Sequence, residues 1–448
     1  MNLQTLRRLI QRGDIDTVLV AAPDATGKLV GKRFVGKIFL ESIAAHGTHG
    51  CNYLLTVDIE MEPQPGFRLA SWEAGYGDFT LRPDLSTLRQ IPWLPGTALV
   101  LCDFCHEDGA LVAEAPRSVL RAQLERLTAR RLGCEIASEL EFFLYNHSYA
   151  EAHAQDFRAL RPSSDYRIDY HLMQPARDEP LLRAIRNQMQ LARVPIESSK
   201  GEWGRGQHEV NFIHDAPLPM ADLHSLFKQG VKEIAAQQNR AVTFMAKPSM
   251  SEPGSSCHIH ASLWRGGKNL FWDQKGREGS KLFRQFLGGL MKYSRELCLF
   301  FAPTVNAYKR YQPGSWAPTK LAWSLDNRTV GFRVVGHGNS FRLENRMPGA
   351  DANPYLAFAA TLAAGLAGIE EDLDCGPAYA GNAYADAKLP ALPSSLAAAA
   401  ELLARSPFAS RVFGEDTVEF YVHHARLECA AFAGSVTDWE LRRYFERI

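Results

Sequence analysis

The sequence predicts an α+β protein in two parts: a small sheet-rich part over about the first 105 residues, then a larger α+β part running to residue 448. Three observations carry this. Short apolar runs separated by Gly/Pro-rich turns fill the stretch up to Pro95. An amphipathic stretch from Pro116 to Arg131 then begins directly on a proline, as helices do. Beyond it, long helical patterns alternate with short strand patterns to the end.

Residues 3–12 read as a short helix. Asp16 to Ala21 is an apolar, β-rich run, Asp24-Ala25-Thr26-Gly27 is a turn signal, and Lys28 to Phe34 follows, so the three form a hairpin. Thr97 to Cys102 is a buried strand. In the second part, helices are predicted at Asp178 to Leu191, Met220 to Asn239, Lys281 to Cys298, Pro354 to Glu371 and, Ala-rich, Ser394 to Ala404. Strands are predicted around Glu139, at Glu209 to Ile213, Ser256 to Leu263 and Ser340 to Met347.

Lys+Arg and Asp+Glu both number 50, so the formal net charge is zero. A general affinity for nucleic acid or for an anionic membrane is excluded on that ground. No apolar run approaches the ~20 residues of a membrane span, and the N-terminus lacks the apolar centre of a signal peptide. Cytoplasm is therefore the expected compartment. The eight cysteines have no framework spacing, and Cys102-Asp103-Phe104-Cys105 is a lone CxxC without the second pair a zinc site needs.

Three segments carry charge at a spacing of two. They are Glu139-Leu140-Glu141, His258-Ile259-His260, and Arg342-Leu343-Glu344-Asn345-Arg346. On a strand, i and i+2 share a face. Glutamate is depleted in strands, and an unpaired buried carboxylate is costly. The counter-charge that suits several carboxylates and few imidazoles is a divalent cation, with Mg²⁺ or Mn²⁺ favoured over zinc. Read singly, the glutamates fit an exposed strand face as well, and the histidines fit ordinary hydrogen bonding. Glu202 and Glu209 bracket Gly204-Arg205-Gly206, a turn whose backbone can approach a ligand closely. Arg310, Arg328, Arg333, Arg342 and Arg346 crowd into 37 residues, counted from 310 to 346. Arginine forks bind phosphate and carboxylate. Arg328 and Arg333 are five apart, so they share a site only if a turn or bulge intervenes, with Gly331 the candidate. Two cations facing an arginine wall suit phosphoryl transfer from ATP. There is neither a GxxxxGK[ST] loop nor a GxGxxG loop.

These motifs resemble the glutamine synthetase superfamily over essentially the whole chain. The likeness extends through Gly206-Gln207-His208-Glu209, Asn306-Ala307-Tyr308-Lys309-Arg310, Pro313-Gly314 and Asp351-Ala352-Asn353-Pro354-Tyr355-Leu356. The resemblance implies an N-terminal β-grasp domain (1–107) and a catalytic domain (108–448) with a curved antiparallel sheet flanked by helices. It implies active sites between subunits of a homo-oligomer, a dodecamer of two hexameric rings. It implies two metal ions: one on Glu141, Glu202 and Glu209, the other on Glu139, His258 and Glu344. It places His260, Ser262, Arg333 and Arg342 at ATP. It places Arg310, Arg328 and Arg346, with Gly254, at the substrate carboxylates and the acyl phosphate. The implied chemistry is phosphorylation of the γ-carboxylate of glutamate by ATP, then displacement of phosphate by an amine.

Two departures bear on the substrate. Where ammonia-using members read Pro-Gly-Tyr-Glu-Ala-Pro, this chain has Pro313-Gly314-Ser315-Trp316-Ala317-Pro318. Tryptophan accepts no proton but offers a π face to an alkylammonium. This run and Trp323 to Thr329 resemble the glutamate–amine ligase branch, so Trp316 is expected at the site of amine attack, with Arg310 and Arg328. The substrates implied are glutamate, ATP and a polyamine or monoamine. The second departure is Glu252-Pro253-Gly254 before the histidines, which bears on how the amino-acid substrate is held. Asp58 is the nearest N-terminal acid for an amine site, without the usual flanking residues. Tyr384 lies near where some relatives carry a modified tyrosine, again with different neighbours. The alternatives are a glutamine synthetase using ammonia, with Trp316 merely packing its loop, and a non-catalytic ring.

Overall fold

The computed structural model describes residues 1–173, 175–274 and 279–448. After a helix at Leu3–Arg12, strands β1 (Thr17–Pro23) and β2 (Leu29–Val35) form the expected hairpin, with Pro23 opposite Leu29. Asp24 closes the turn by accepting the amides of Thr26 and Lys28. With β3 (Thr48–Cys51), β4 (Asp78–Gln90) and β5 (Thr97–Cys105) they make a five-stranded sheet in the order β2-β1-β5-β4-β3, with β1 parallel to β5 at its centre.

Among the described residues, the larger sheet has nine strands. Along its path run β12 (Trp323–Leu325), β13 (Phe332–Val335), β14 (Arg342–Asn345), β10 (Cys257–Arg265), β6 (Gly133–Tyr145), β8 (Gln207–Phe212) and β7 (Ile196–Gly201). Two short strands attach at its sides, β9 (Ala241–Thr243) on β6 and β11 (Lys268–Asn269) on β10. Pairing is antiparallel except for β12 and β13, which are parallel. Because β12 is only three residues long, about 10 Å, the link from Asp326 to Gly331 suffices to return the chain to its start.

One face of this sheet is covered by helices. The helix Pro354–Glu370 is apolar all round and buried from Pro354 to Gly368, as a helix enclosed on every side must be. Asn353 caps it, its side chain accepting the Tyr355 amide, and Pro354 occupies the first turn. It crosses the helix Lys281–Tyr293 so closely that a Cβ on Gly289 would lie 2.0 Å from the Ala364 carbonyl oxygen. The predicted helix to Cys298 is interrupted by one looser turn and resumes over Cys298–Phe301.

The two sheets share one apolar core. At their junction, buried Arg117 on the helix Pro116–Ala129 donates to Asp84 and Asp103 of the small sheet and to Asp222 of the helix Pro217–Gln237. A buried guanidinium needs such complete pairing. All eight cysteines are free thiols, and burial pushes the thiol of Cys102 up. Among the described residues, no helix is long and apolar enough to cross a membrane.

Candidate active site

Alternation along the central strands sorts their side chains. On β6, Ile136, Leu140 and Phe142 go to the core, while Glu139 and Glu141 face the other way. On β10, Ile259 and Ala261 are core and His258, His260 and Ser262 line the cleft. Register completes the site: Glu139 lies opposite His258, Glu141 opposite Glu209, His260 opposite Glu344, and Arg333 opposite Glu344. The result is a cleft of about 1380 Å³ whose lining also includes Glu202, Gly254, Arg310, Trp316, Arg328, Arg342 and Arg346. Arg328 and Arg333 both reach it because a turn separates β12 from β13. Glu344 is buried, so its charge is balanced inside the site.

The carboxylates fall into two environments. Burial opposes ionisation of Glu344, but Arg346, His258 and His260 outweigh it and bring its carboxyl down to about 2. Arg333 adds a bond of 2.8 Å. Burial likewise opposes ionisation of Glu139, and His258 and His260 hold it well below the usual range. Glu141 and Glu209 go the other way. Burial, then the charge of Glu202, raises Glu141 to about 7. Burial, then Glu139 and Glu202, raises Glu209 to about 10. Glu141 still accepts three bonds, from Ser256 N and Oγ at 2.8 and 2.6 Å and from Gln207 Nε2 at 3.0 Å. Carboxylates crowded until they resist ionisation are a fit for divalent cations. Ligand atoms of Glu139, Glu141 and Glu209 all lie within 4.8 Å of one another. Glu202 is beside them, ion-paired with Lys200.

The second group forms around Glu139 and Glu344. Distance brings His260 together with them, yet His258 Nδ1 is also 2.9 Å from Glu139 and 3.3 Å from Glu344. Hydrogen bonding separates the two histidines. Arg342 Nε donates to His260 Nδ1 at 3.1 Å, which assigns the proton of a neutral ring to Nε2, facing Glu139 at 3.2 Å. A ring held at both nitrogens has no lone pair for a cation. Among the described residues, His258 carries no such bond from an arginine, and burial, then Arg346, lowers its pKa, which favours the unprotonated ring a ligand requires.

The arginines differ in what they hold. Arg310 is buried and donates to the carbonyls of Met347 and Arg346 at 2.9 and 3.1 Å. Arg346 pairs with Glu344 and donates to the Trp316 carbonyl at 3.1 Å. Arg328 is exposed at the cleft. Gly254 is dictated by crowding: a Cβ there would lie 2.6 Å from the Ala246 carbonyl and from Arg310 Cγ. Ser262 Oγ accepts the indole N–H of Trp264.

Trp316 is 51% exposed and sits at φ +66°, a left-handed conformation costly for a bulky residue. Its ring meets Trp203 edge-on at 6.4 Å. Its loop is braced by the Arg346 bond and by the Tyr384 hydroxyl, which donates to the Ala317 carbonyl at 2.9 Å. Asp58 lies outside the residues lining this cleft, and its carboxylate accepts the amides of Glu60 and Glu62 and the side chain of Gln64. Sequence reasoning missed Lys200, Trp203, Asp169 and Tyr170, which line the same side.

Carboxylate clusters suited to cations share this cleft with several arginines, an arrangement of the kind phosphoryl transfer uses. Comparison with known proteins agrees. Residues 113–444 match the family model for the glutamine synthetase catalytic domain. The chain is 48% identical over 449 residues to the gamma-glutamylethanolamide synthetase GlnA4 of Streptomyces coelicolor, covering 100% of this chain and 96% of that one. It is 36% identical to the glutamate–isopropylamine ligase of a Pseudomonas species, covering 99% and 98%, and 31% identical to the glutamine synthetase of Thermotoga maritima, covering 99% of each. A solved GmaS/ADP complex superposes with a TM-score of 0.86 at 27% identity, covering 98% of this chain and 99% of that one. The chain belongs to the glutamine synthetase family, whose enzymes use ATP and divalent metal ions. Within it the protein stands with the ATP-dependent amine ligases rather than with the ammonia-using synthetases.

Proposed function

We propose that the protein joins the γ-carboxyl of glutamate to a small primary amine of the ethanolamine type, through γ-glutamyl phosphate. The observation that carries the reading is Trp316, an exposed aromatic wall at the cleft where ammonia-using relatives have a proton-accepting glutamate. The 48% identity to a synthetase named for γ-glutamylethanolamide supports the choice of amine. In this reading Glu141, Glu202 and Glu209 hold one Mg²⁺ or Mn²⁺ and Glu139, His258 and Glu344 hold the second. The cations neutralise charge on the phosphates when bound. His260, Ser262, Arg333 and Arg342 line the ATP side, and the bond from Arg342 orients the His260 ring. Arg328 and Arg346 face the substrate carboxylates and the acyl phosphate. Arg310, tied to two carbonyls, presents the rest of its guanidinium from a fixed position, and Gly254 leaves it room. A carboxylate is a poor acyl donor until phosphorylated, so both halves of the cleft serve one sequence of bonds.

The same reading divides the chain at 107/108, supported by a family match that begins at residue 113. It also places the chain in a dodecamer of two hexameric rings. Exposed Trp72, Leu172 and Phe445 support burial against further copies. A cytoplasmic site of action is supported by eight free thiols.

The test is ADP formation with ATP, glutamate and Mg²⁺ against ammonium, methylamine, isopropylamine, ethanolamine and putrescine. Saturable turnover with ethanolamine is expected, with little from ammonium. Trp316→Glu should lower kcat/KM for ethanolamine by roughly tenfold or more and admit ammonium. A wild-type preference for ammonium would overturn the reading.

A further inference from the structure

We infer that Lys200 is a specificity-determining residue that keeps amines bearing a second positive charge out of the amine side of the cleft. The inference rests on the amine-ligase reading above and deepens it.

Lys200 lies on β7, in register with Glu209 of β8. Its ammonium is ion-paired with Glu202, lies 3.7 Å from both Glu209 and Asp169, and sits 4.5 Å over the ring of Tyr170. Carboxylates beside an aromatic face are the surroundings an alkylammonium seeks. Here the chain's own ammonium fills them. The next aromatic face is covered too: the Arg167 guanidinium lies 4.5 Å over Trp203, whose ring edges Trp316. Arg205, close by, is committed to Glu252. With Glu202 and Glu209 given to a metal ion, Asp169 is the remaining acid paired with Lys200 among the described residues, and it already faces a cation.

A diamine whose far end reaches this wall of the cleft would therefore bring its distal ammonium against that of Lys200. Two unit charges about 6 Å apart in a partly screened site repel enough to change affinity about a hundredfold. An amino alcohol of equal length meets no such opposition, since a hydroxyl is neutral and bonds readily to a carboxylate or an ammonium.

The experiment compares 4-aminobutan-1-ol with putrescine, a pair matched in length and differing in one terminal charge, with ammonium and ethanolamine as references. Wild-type protein should favour the amino alcohol by about a hundredfold in kcat/KM. Lys200→Met should shrink that ratio to less than about tenfold, chiefly through KM for putrescine, and Lys200→Arg should keep it. Asp169→Asn, which leaves Lys200 less compensated, should widen the ratio. Equal use of both amines by the wild type would overturn the assignment while leaving the amine-ligase reading intact. So would a ratio that Lys200→Met and Asp169→Asn leave unchanged, since a purely structural lysine would slow every amine alike. Should Lys200→Met lose all turnover, Asp169→Asn decides by the direction in which it moves the ratio. Turnover with ammonium alone would overturn the amine-ligase reading itself, and the Lys200 assignment with it.

Discussion

The two faces of β6 are built from the same strand and obey opposite rules. Toward the helices, Ile136, Leu140 and Phe142 are fully buried among apolar neighbours. Even the polar member, Ser138, is matched, its hydroxyl 3.0 Å from His224 Nδ1. Toward the cleft, Glu139 and Glu141 stand beside Glu202, Glu209, His258 and His260, and burial and neighbouring charge hold the carboxyls of Glu141 and Glu209 up. One face is satisfied by the chain alone. The other is complete only when something outside the chain brings positive charge. Stability and function are thus separated by a single residue step along a strand, because the pleat sends neighbours to opposite sides.

Adjacent substitutions can break that separation or sharpen it. The largest effect is expected at Glu139, whose carboxylate is shared by both ligand groups. Glu139→Ala should reduce kcat by about 10²–10³-fold and shrink the rise in Tm on adding Mg²⁺, as read by steady-state assay and thermal melts. One position on, Leu140→Ala should cost about 2–5 kcal/mol of stability, measured by denaturant unfolding, while the Mg²⁺ requirement and KM for ATP stay as in wild type. If Leu140→Ala altered metal dependence as strongly as Glu139→Ala, the two faces would not be independent.

Much of the cleft face was legible because chemistry that uses paired charges on strands leaves a period of two. Glu139/Glu141 and His258/His260 carry that mark. The hairpin and the buried helix after Asn353 were legible for the same local reasons: a turn signal, a cap, a proline in the first turn. What was not legible lacks local pattern. Ser198-Ser199-Lys200-Gly201 reads as a solvated polar stretch, and its partners Asp169 and Tyr170 come from an irregular segment some 30 residues earlier. Arg310 was expected at the substrate, and the structure adds bonds to the carbonyls of Met347 and Arg346. Backbone acceptors leave no trace in a sequence. The parallel pairing of β12 with β13 was hidden too, since a strand of three residues has no period to read.

The smallest effect is also the one that separates the faces without mutation. Carboxyls in an unfolded chain titrate near 4.3. In the metal-free fold, Glu141 is raised to about 7 and Glu209 to about 10, by burial first and by neighbouring glutamates second. The folded state therefore keeps protons that the unfolded state has released. The stability these groups allow is fully present below about pH 4.3 and is lost as pH rises through 7 toward 10. Glu139 and Glu344, held low by the histidines and Arg346, act oppositely but only in acid, where their contribution fades as pH falls toward their own low values. Between about pH 6 and pH 8 the raised pair governs the slope; above that, buried Lys228, lowered to about 8 by burial and by Lys232, works in the opposite sense. Metal-free protein should thus melt at progressively lower temperature from about pH 6 to pH 8. With saturating Mg²⁺ the decline should be visibly smaller, because the cation replaces the missing protons and binds the ionised form. A metal-free Tm that holds level from pH 6 to pH 8 would mean that the cleft face balances its own charge, and the contrast between the two sides of β6 would reduce to polarity alone.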